Sequence, residues 1–418
     1  MSIAKKACSL LLCCAFLCGM AVYADVAPAD ADVQQTVLMD NSDVQGDPYT
    51  APGGWSTATP ASAAVAPQIS AKSTVLMDAT TGVMLFGANE HAKVAPASIA
   101  KIMTLLLVGE ALDSGKIKIT DMVTTSEHAK SMGGSTALLD TNEKMSVGDM
   151  LKATAVASAN DASVALAEFV AGSEESFVAQ MNERASQLGM KDTRYVNCSG
   201  LDAPDQLTSA YDVAVVSREL TRHAVLTKYT SIWMDSLRGG QFKLVNTNKM
   251  VRFYDGCIGV KTGTTSQAGC CLSAAAARGG TTLIAVVMGA PSSDDRFNGA
   301  RKLLDYGFAN WVTVPMPLAD KDFTPVKVVR GVAPFVTVRA GKLGGLLVPK
   351  GQEKSIQKTV KLPGEVAAPV AKNQVLGSVS FTLDGKEIGK VAVYAAADVE
   401  KMSFGFAFKR LLDNFLHL

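Results

Sequence analysis

An excess of either charge is missing from this chain. Its 418 residues carry 40 basic and 39 acidic side chains, a net charge of +1, whereas a nucleic-acid surface needs a basic excess. Histidine is scarce: the four present show no metal-ligand spacing, which argues against a metal-dependent peptidase. Cysteine is also thin. Cys8, Cys13, Cys14 and Cys18 lie in the first 24 residues, leaving Cys198, Cys257, Cys270 and Cys271. Four are too few for a disulfide framework in a chain this long, although one bridge stays open. The apolar run at residues 7–20 is short for a bilayer. What is present is length enough for two domains and a substantial core.

Residues 1–24 read as a signal peptide: Lys5 and Lys6, then the apolar run, then Val22-Tyr23-Ala24 as a small-residue cleavage site. None of the early cysteines suits lipid attachment, so the expectation is an exported chain starting near Asp25. Residues 25–70, rich in Ala, Pro, Asp, Ser and Thr, read as a flexible linker. TVLMD occurs at residues 36–40 and again at 74–78; the second copy, followed by a turn and residues 83–86, starts the folded part.

Residues 94–113 organise the rest. Pro96 suits a first helical turn, and almost every position after Ile99 except Lys101 and Thr104 is apolar or small, which predicts a helix buried on all sides. Further helices are expected from Ser146, over residues 162–171 and 174–188, and over 210–223 after a Ser209 cap. Residues 131–135 read as a flexible loop. Strands are expected over 256–260, 270–277 and 281–288, then a helix over 296–311. Strands at both ends of a helical block imply an α/β (α+β) domain over 71–316, with a central antiparallel sheet flanked by helices. Short Val-rich runs make 317–397 a small all-β domain without histidine or cysteine, and 398–418 an amphipathic helix. There Phe404, Phe408, Leu411, Leu412, Phe415, Leu416 and Leu418 share one side. That helix suits a membrane interface or a docking face on its own protein.

A buried lysine one turn after a serine can activate the hydroxyl as a nucleophile. The tetrapeptide alone says little, since Ser-x-x-Lys also occurs at Ser2 to Lys5 and Ser355 to Lys358. Ser98 and Lys101 stand apart through their buried setting and through two later signals, Ser158-Ala159-Asn160 and Lys261-Thr262-Gly263. Ser158 at a helix break can pass a proton, and the Asn160 amide can bond both Lys101 and a substrate carbonyl. Lys261 and Thr262, expected at the end of the strand that begins at Gly256, suit a carboxylate, and Gly263 lets a peptide lie close. A helix cap and a strand-to-turn junction are the bland readings of the two signals taken singly.

Together, Ser98-x-x-Lys101, Ser158-x-Asn160 and Lys261-Thr262-Gly263 resemble the three motifs of the penicillin-recognising serine enzymes. The chain resembles most closely the low-molecular-mass penicillin-binding proteins that are serine-type D-alanyl-D-alanine carboxypeptidases. The resemblance covers about residues 70–312, with stretches such as PASIAKIMT and GVKTGTTSQAG. It implies a transpeptidase-like domain with a β stalk and a membrane-anchoring helix, a location in the periplasm or at the outer face of the cytoplasmic membrane, and a role in cell-wall biogenesis and cell shape. It further implies Ser98 as nucleophile on the stem pentapeptide, Lys101 as base and Ser158 and Asn160 as catalytic partners. The oxyanion hole would be the N–H groups of Ser98 and Thr264, with Lys261, Thr262, Gly263 and Arg296 binding substrate. β-Lactams would acylate Ser98; no cofactor, metal or nucleic acid is implied. Thr264 stands where the family usually has an aromatic or His, and the loop at Asn197 to Leu201 lacks the frequent His before its glycine. The alternatives are a non-catalytic penicillin- or wall-binding protein and a class A-like β-lactamase. The latter needs a deacylating glutamate, and no Glu-x-x-Leu-Asn pattern lies between Asn160 and Lys261.

Overall fold

The strands that begin and end the sheet of the larger domain are apolar at consecutive positions, so both faces must be covered. In the computed structural model, which describes residues 65–416, they form a five-stranded antiparallel sheet. Its strands are β1 (Ser73–Asp78), β2 (Met84–Ala88), β7 (Cys257–Thr265), β8 (Gly269–Arg278) and β9 (Thr281–Ala290), in the order β2-β1-β9-β8-β7. The expected signal peptide, the first TVLMD copy and nearly all of the linker lie outside the described residues. Side-chain alternation sends Val75, Met77, Ile284 and Val286 to one face and Leu76, Leu283, Ala285 and Val287 to the other.

The first face is covered by helices between β2 and β7. α1 (Lys101–Asp113) runs through their middle, buried along most of its length. Around it stand α3 (Val147–Val156), α4 (Asn160–Ala171), α5 (Glu174–Gln187), α6 (Ala210–Thr221) and α7 (Ala224–Thr230). Ser146, Ser173 and Ser209 cap α3, α5 and α6, each accepting a backbone N–H three residues on. Smaller pieces fill the gaps: α2 (Glu127–Lys130), the ribbon β3 (Met122–Thr124) with β4 (Lys144–Ser146), the hairpin β5 (Met234–Leu237) with β6 (Phe242–Val245), and α8 (Met250–Phe253). The second face is covered by α9 (Ser293–Asn310), through Phe297, Leu303, Leu304 and Phe308.

Four expectations need correction. The helix expected from Pro96 is preceded by a 3₁₀ turn, Ala97–Ala100, because Ala97 has φ 48°, a left-handed conformation no α-helix admits. The 131–135 loop is tied down, since Asn160 donates from its backbone to Ser135 O at 2.7 Å and from Nδ2 to Gly133 O at 2.6 Å. Lys261-Thr262-Gly263 lies inside β7 rather than at its end, paired with Ser273, Leu272 and Cys271. Trp311, expected to close the last helix of the domain, instead starts a strand, Trp311–Val314, that pairs with Leu346–Pro349.

The following region has the expected β content, with a three-stranded sheet and a four-stranded sheet around Val326, Val336, Val379, Phe381 and Val393. Thr313 ties it to β1 by donating to Asp78 Oδ2 at 2.9 Å. The chain ends in α10 (Phe404–Leu416), whose Phe404, Phe408, Leu411, Leu412, Phe415 and Leu416 are exposed. Among the described residues no helix is long and apolar enough to cross a membrane.

Candidate active site

The 3₁₀ turn has a chemical consequence. With three residues per turn, side chains at i and i+3 stand in line, so Ser98 in the turn and Lys101 at the first position of α1 face the same way. Lys101 Nζ lies 3.0 Å from Ser98 Oγ. Two further partners hold the amine: Nζ donates to Asn160 Oδ1 and to Ser199 O. A neutral amine has two N–H donors and one lone pair. With both donors taken, the lone pair is left for the Ser98 hydroxyl.

Burial favours that neutral form. Lys101 has no exposure, and desolvation pushes its pKa down from 10.5 to about 7, against the pull of the Asp161 carboxylate. Asp161, also buried, accepts from the backbone of Ala137 and Leu139 and so fixes the wall beside Asn160.

Ser199 O is held by the loop before Gly200. Thr104, a buried polar residue on the core helix, donates to Cys198 O at 2.6 Å, and Cys198 N–H donates to Glu174 Oε1 at 3.0 Å. Gly200 has φ 83°, and a Cβ there would lie 1.9 Å from Ala97 O. Only glycine lets this loop press against the residue before Ser98.

Ser158 follows α3 with φ 63° and is 4% exposed. A non-glycine residue in this region costs energy and is common where a side chain must be aimed; Ala97, beside Ser98, shares the feature.

On the opposite side, β7 is the edge strand. Gly263 meets the Ser98 turn, and a Cβ there would lie 3.0 Å from the backbone nitrogens of Ser98 and Ile99. Lys261 is buried and donates to Thr262 O at 3.1 Å. Burial, with Lys101 and Arg296 nearby, pushes its pKa well below the usual lysine range. Thr262 Oγ1 donates to Thr247 Oγ1 at 2.6 Å. Arg296, on α9, reaches in from the other face of the sheet, and its Nη1 donates to Gly263 O at 3.1 Å and Thr264 Oγ1 at 2.8 Å.

Ser98, Lys101, Ser158, Asn160, Lys261, Thr262, Gly263, Thr264 and Arg296 thus come from one turn, one helix junction, one strand and one helix on the far face. Sequence reasoning missed Ser199, Asp161 and Thr247. Thr104 carried a signal, as a lone polar residue on an apolar helix. Cys198, Cys257, Cys270 and Cys271 are all free thiols, so the bridge left open above is not made. Elsewhere Glu110, Glu219 and His223 converge, but Arg184 already pairs with both carboxylates.

A family model described as D-alanyl-D-alanine carboxypeptidase matches residues 60–292, more than half of the chain. The chain belongs to that family. A second model, the C-terminal domain of penicillin-binding protein 5, matches residues 313–401. DacF of Bacillus subtilis, a D-alanyl-D-alanine carboxypeptidase, is 42% identical, over 82% of this chain and 90% of its own length. Penicillin-binding protein 5 from Haemophilus influenzae is similar in structure, with a TM-score of 0.72, 36% identity, and coverage of 81% of this chain and 99% of that one. Penicillin-binding protein D2 from Listeria monocytogenes, solved in its ampicillin-bound form, matches 57% of this chain and 98% of its own, at 29% identity and a TM-score of 0.53. Family membership and these relatives make the chain a serine-type carboxypeptidase of the penicillin-binding kind.

Proposed function

We propose that the protein removes the terminal D-alanine from peptidoglycan stem pentapeptides through an acyl-enzyme on Ser98, and that β-lactams acylate the same oxygen. The observation that carries this is the buried Lys101 amine 3.0 Å from Ser98 Oγ.

The geometry supports the following chemistry. Lys101 Nζ takes the Ser98 proton while Oγ attacks the carbonyl between the last two D-alanines. The N–H groups of Ser98 and Thr264 receive the oxyanion. Ser158 carries the proton to the departing amine, so D-alanine leaves neutral at nitrogen and an ester remains on Ser98. Water, deprotonated through the Lys101 and Ser158 network, then cleaves the ester and restores the serine. Asn160 orients Lys101 and can donate to the substrate. Lys261 and Thr262 hold the terminal carboxylate, and Gly263 admits the peptide beside β7. Arg296, bound to Gly263 O and Thr264 Oγ1, adds positive charge and steadies the oxyanion donor.

Export through residues 1–24 and attachment through α10 complete the reading, with the enzyme at the outer face of the cytoplasmic membrane. The exposed phenylalanines and leucines of α10, with Lys409 and Arg410 beside them, support interfacial binding. Flotation with anionic vesicles tests it; a chain ending before Phe404 that floats equally well would refute the anchor.

The activity is tested by incubating the protein with a pentapeptide and with a cross-linked dimer and measuring free D-alanine. Release from the pentapeptide is expected, and its loss in Ser98→Ala together with loss of the penicillin adduct by mass spectrometry. Penicillin binding without D-alanine release would favour a non-catalytic penicillin-binding protein.

A further inference from the structure

The hydroxyl of Thr262 is not free. It donates its proton to Thr247 Oγ1 at 2.6 Å. A hydroxyl has one proton to give, so the O–H that this pair can still offer to a ligand belongs to Thr247. An acceptor-only carboxylate arriving beside Thr262 needs that donor.

The chain around Thr247 is fixed with unusual care. Its N–H donates to Val156 O at 3.1 Å, two residues before Ser158. On one side Asn246, 4% exposed, donates from Nδ2 to Ile232 O at 2.7 Å. On the other, Asn248, 1% exposed, donates from its backbone to Asn246 Oδ1 at 2.8 Å, and its own Oδ1 accepts from Met250 N at 3.1 Å. Thr247 itself stays exposed between these two buried amides. The segment from β6 to α8 thus bridges the Ser158 junction and β7, with one solvent-facing hydroxyl where the two meet.

We infer that Thr247 is a substrate contact that selects a free C-terminal carboxylate; the inference rests on the carboxypeptidase reading above. Lys261 is buried, with Nζ bonded to the Thr262 carbonyl at 3.1 Å, and borders the same carboxylate place. The Thr262–Thr247 pair supplies the directional donor. A carboxylate gains a charge-assisted hydrogen bond from Thr247. A C-terminal amide is neutral and offers an N–H in place of one oxygen, so it gains less. The same hydroxyl therefore separates a peptide end from a chain that continues.

The test uses the full chain as wild type, Thr247→Val and Thr247→Ser, with kcat/KM measured on a peptide ending in D-Ala-D-Ala and on its C-terminal amide. Val removes the donor at nearly constant volume. It should lower the preference for acid over amide about tenfold, the size expected for a hydrogen bond to a charged group, while Ser retains the preference. Equal loss on both substrates, an unchanged preference in Val, or a Ser variant that behaves like Val would overturn the assignment of Thr247. A wild-type protein that releases neither D-alanine from the acid nor D-alaninamide from the amide would instead overturn the carboxypeptidase reading, and this inference with it.

Discussion

Acidification should switch off acylation of Ser98 through a single proton on Lys101. Burial brings that amine from 10.5 to about 7, so about half of it is neutral at pH 7, against about one part in three thousand for an ordinary lysine. The shift corresponds to about 5 kcal/mol of preference for the neutral form. If the neutral amine is the base, the second-order rate constant for acylation by a fluorescent penicillin should rise with unit slope and level off above neutrality. At pH 6 it should be about a tenth of its plateau, and at pH 5 about a hundredth. Stopped-flow measurement under single-turnover conditions keeps deacylation out of the readout. Lys261 is a second buried amine whose pKa is pushed down, so the profile needs its control. In Lys261→Gln the acid limb should persist near neutrality, because burial of Lys101 itself sets it. A rate flat between pH 5 and 9, a midpoint near 10, or loss of the limb in Lys261→Gln would refute the assignment of the base to Lys101.

Other outcomes follow from the same packing. Lys101 binds fewer protons folded than unfolded between pH 7 and 10.5, so the stability of wild type relative to Lys101→Met should rise with pH across that window and stay level below it; denaturant titration at several pH values reads the slope. Asp161→Ala strips acceptors from Ala137 and Leu139 in a buried site and should cost about 3 kcal/mol of stability, measured by urea unfolding. Gly200→Ala drives a Cβ to 1.9 Å from Ala97 O at φ 83°. The displaced Ser98 turn should acylate about a hundredfold more slowly, as followed by mass spectrometry of the penicillin adduct.

Part of this site is local and therefore legible in the chain. Ser98 and Lys101 are three residues apart, the serines before α3 and α6 announce their caps, and Arg278-Gly279-Gly280 announces a turn. Continuous apolarity conveyed the core helix, and apolar runs between turn residues conveyed the strands of the sheet. The 3₁₀ turn escaped because it depends on the left-handed φ of Ala97, which an alanine does not advertise.

By itself, then, the sequence determined which chemical groups exist, their order, and the regular elements that carry most of them. Hydrophobic period, capping residues and motif spacing act over a few residues and leave a side-chain signature. The tertiary structure alone decided what surrounds Lys101. Its partners include a backbone carbonyl at Ser199 and an amide at Asn160, 98 and 59 residues away, and Thr262 finds Thr247 across the connection that holds α8. A carbonyl oxygen belongs to every residue, so no residue type marks the one that will accept from Lys101. Only packing against the sheet, which excludes water from that amine and brings these acceptors to it, gives a common tetrapeptide the surroundings that the proposed base and nucleophile need.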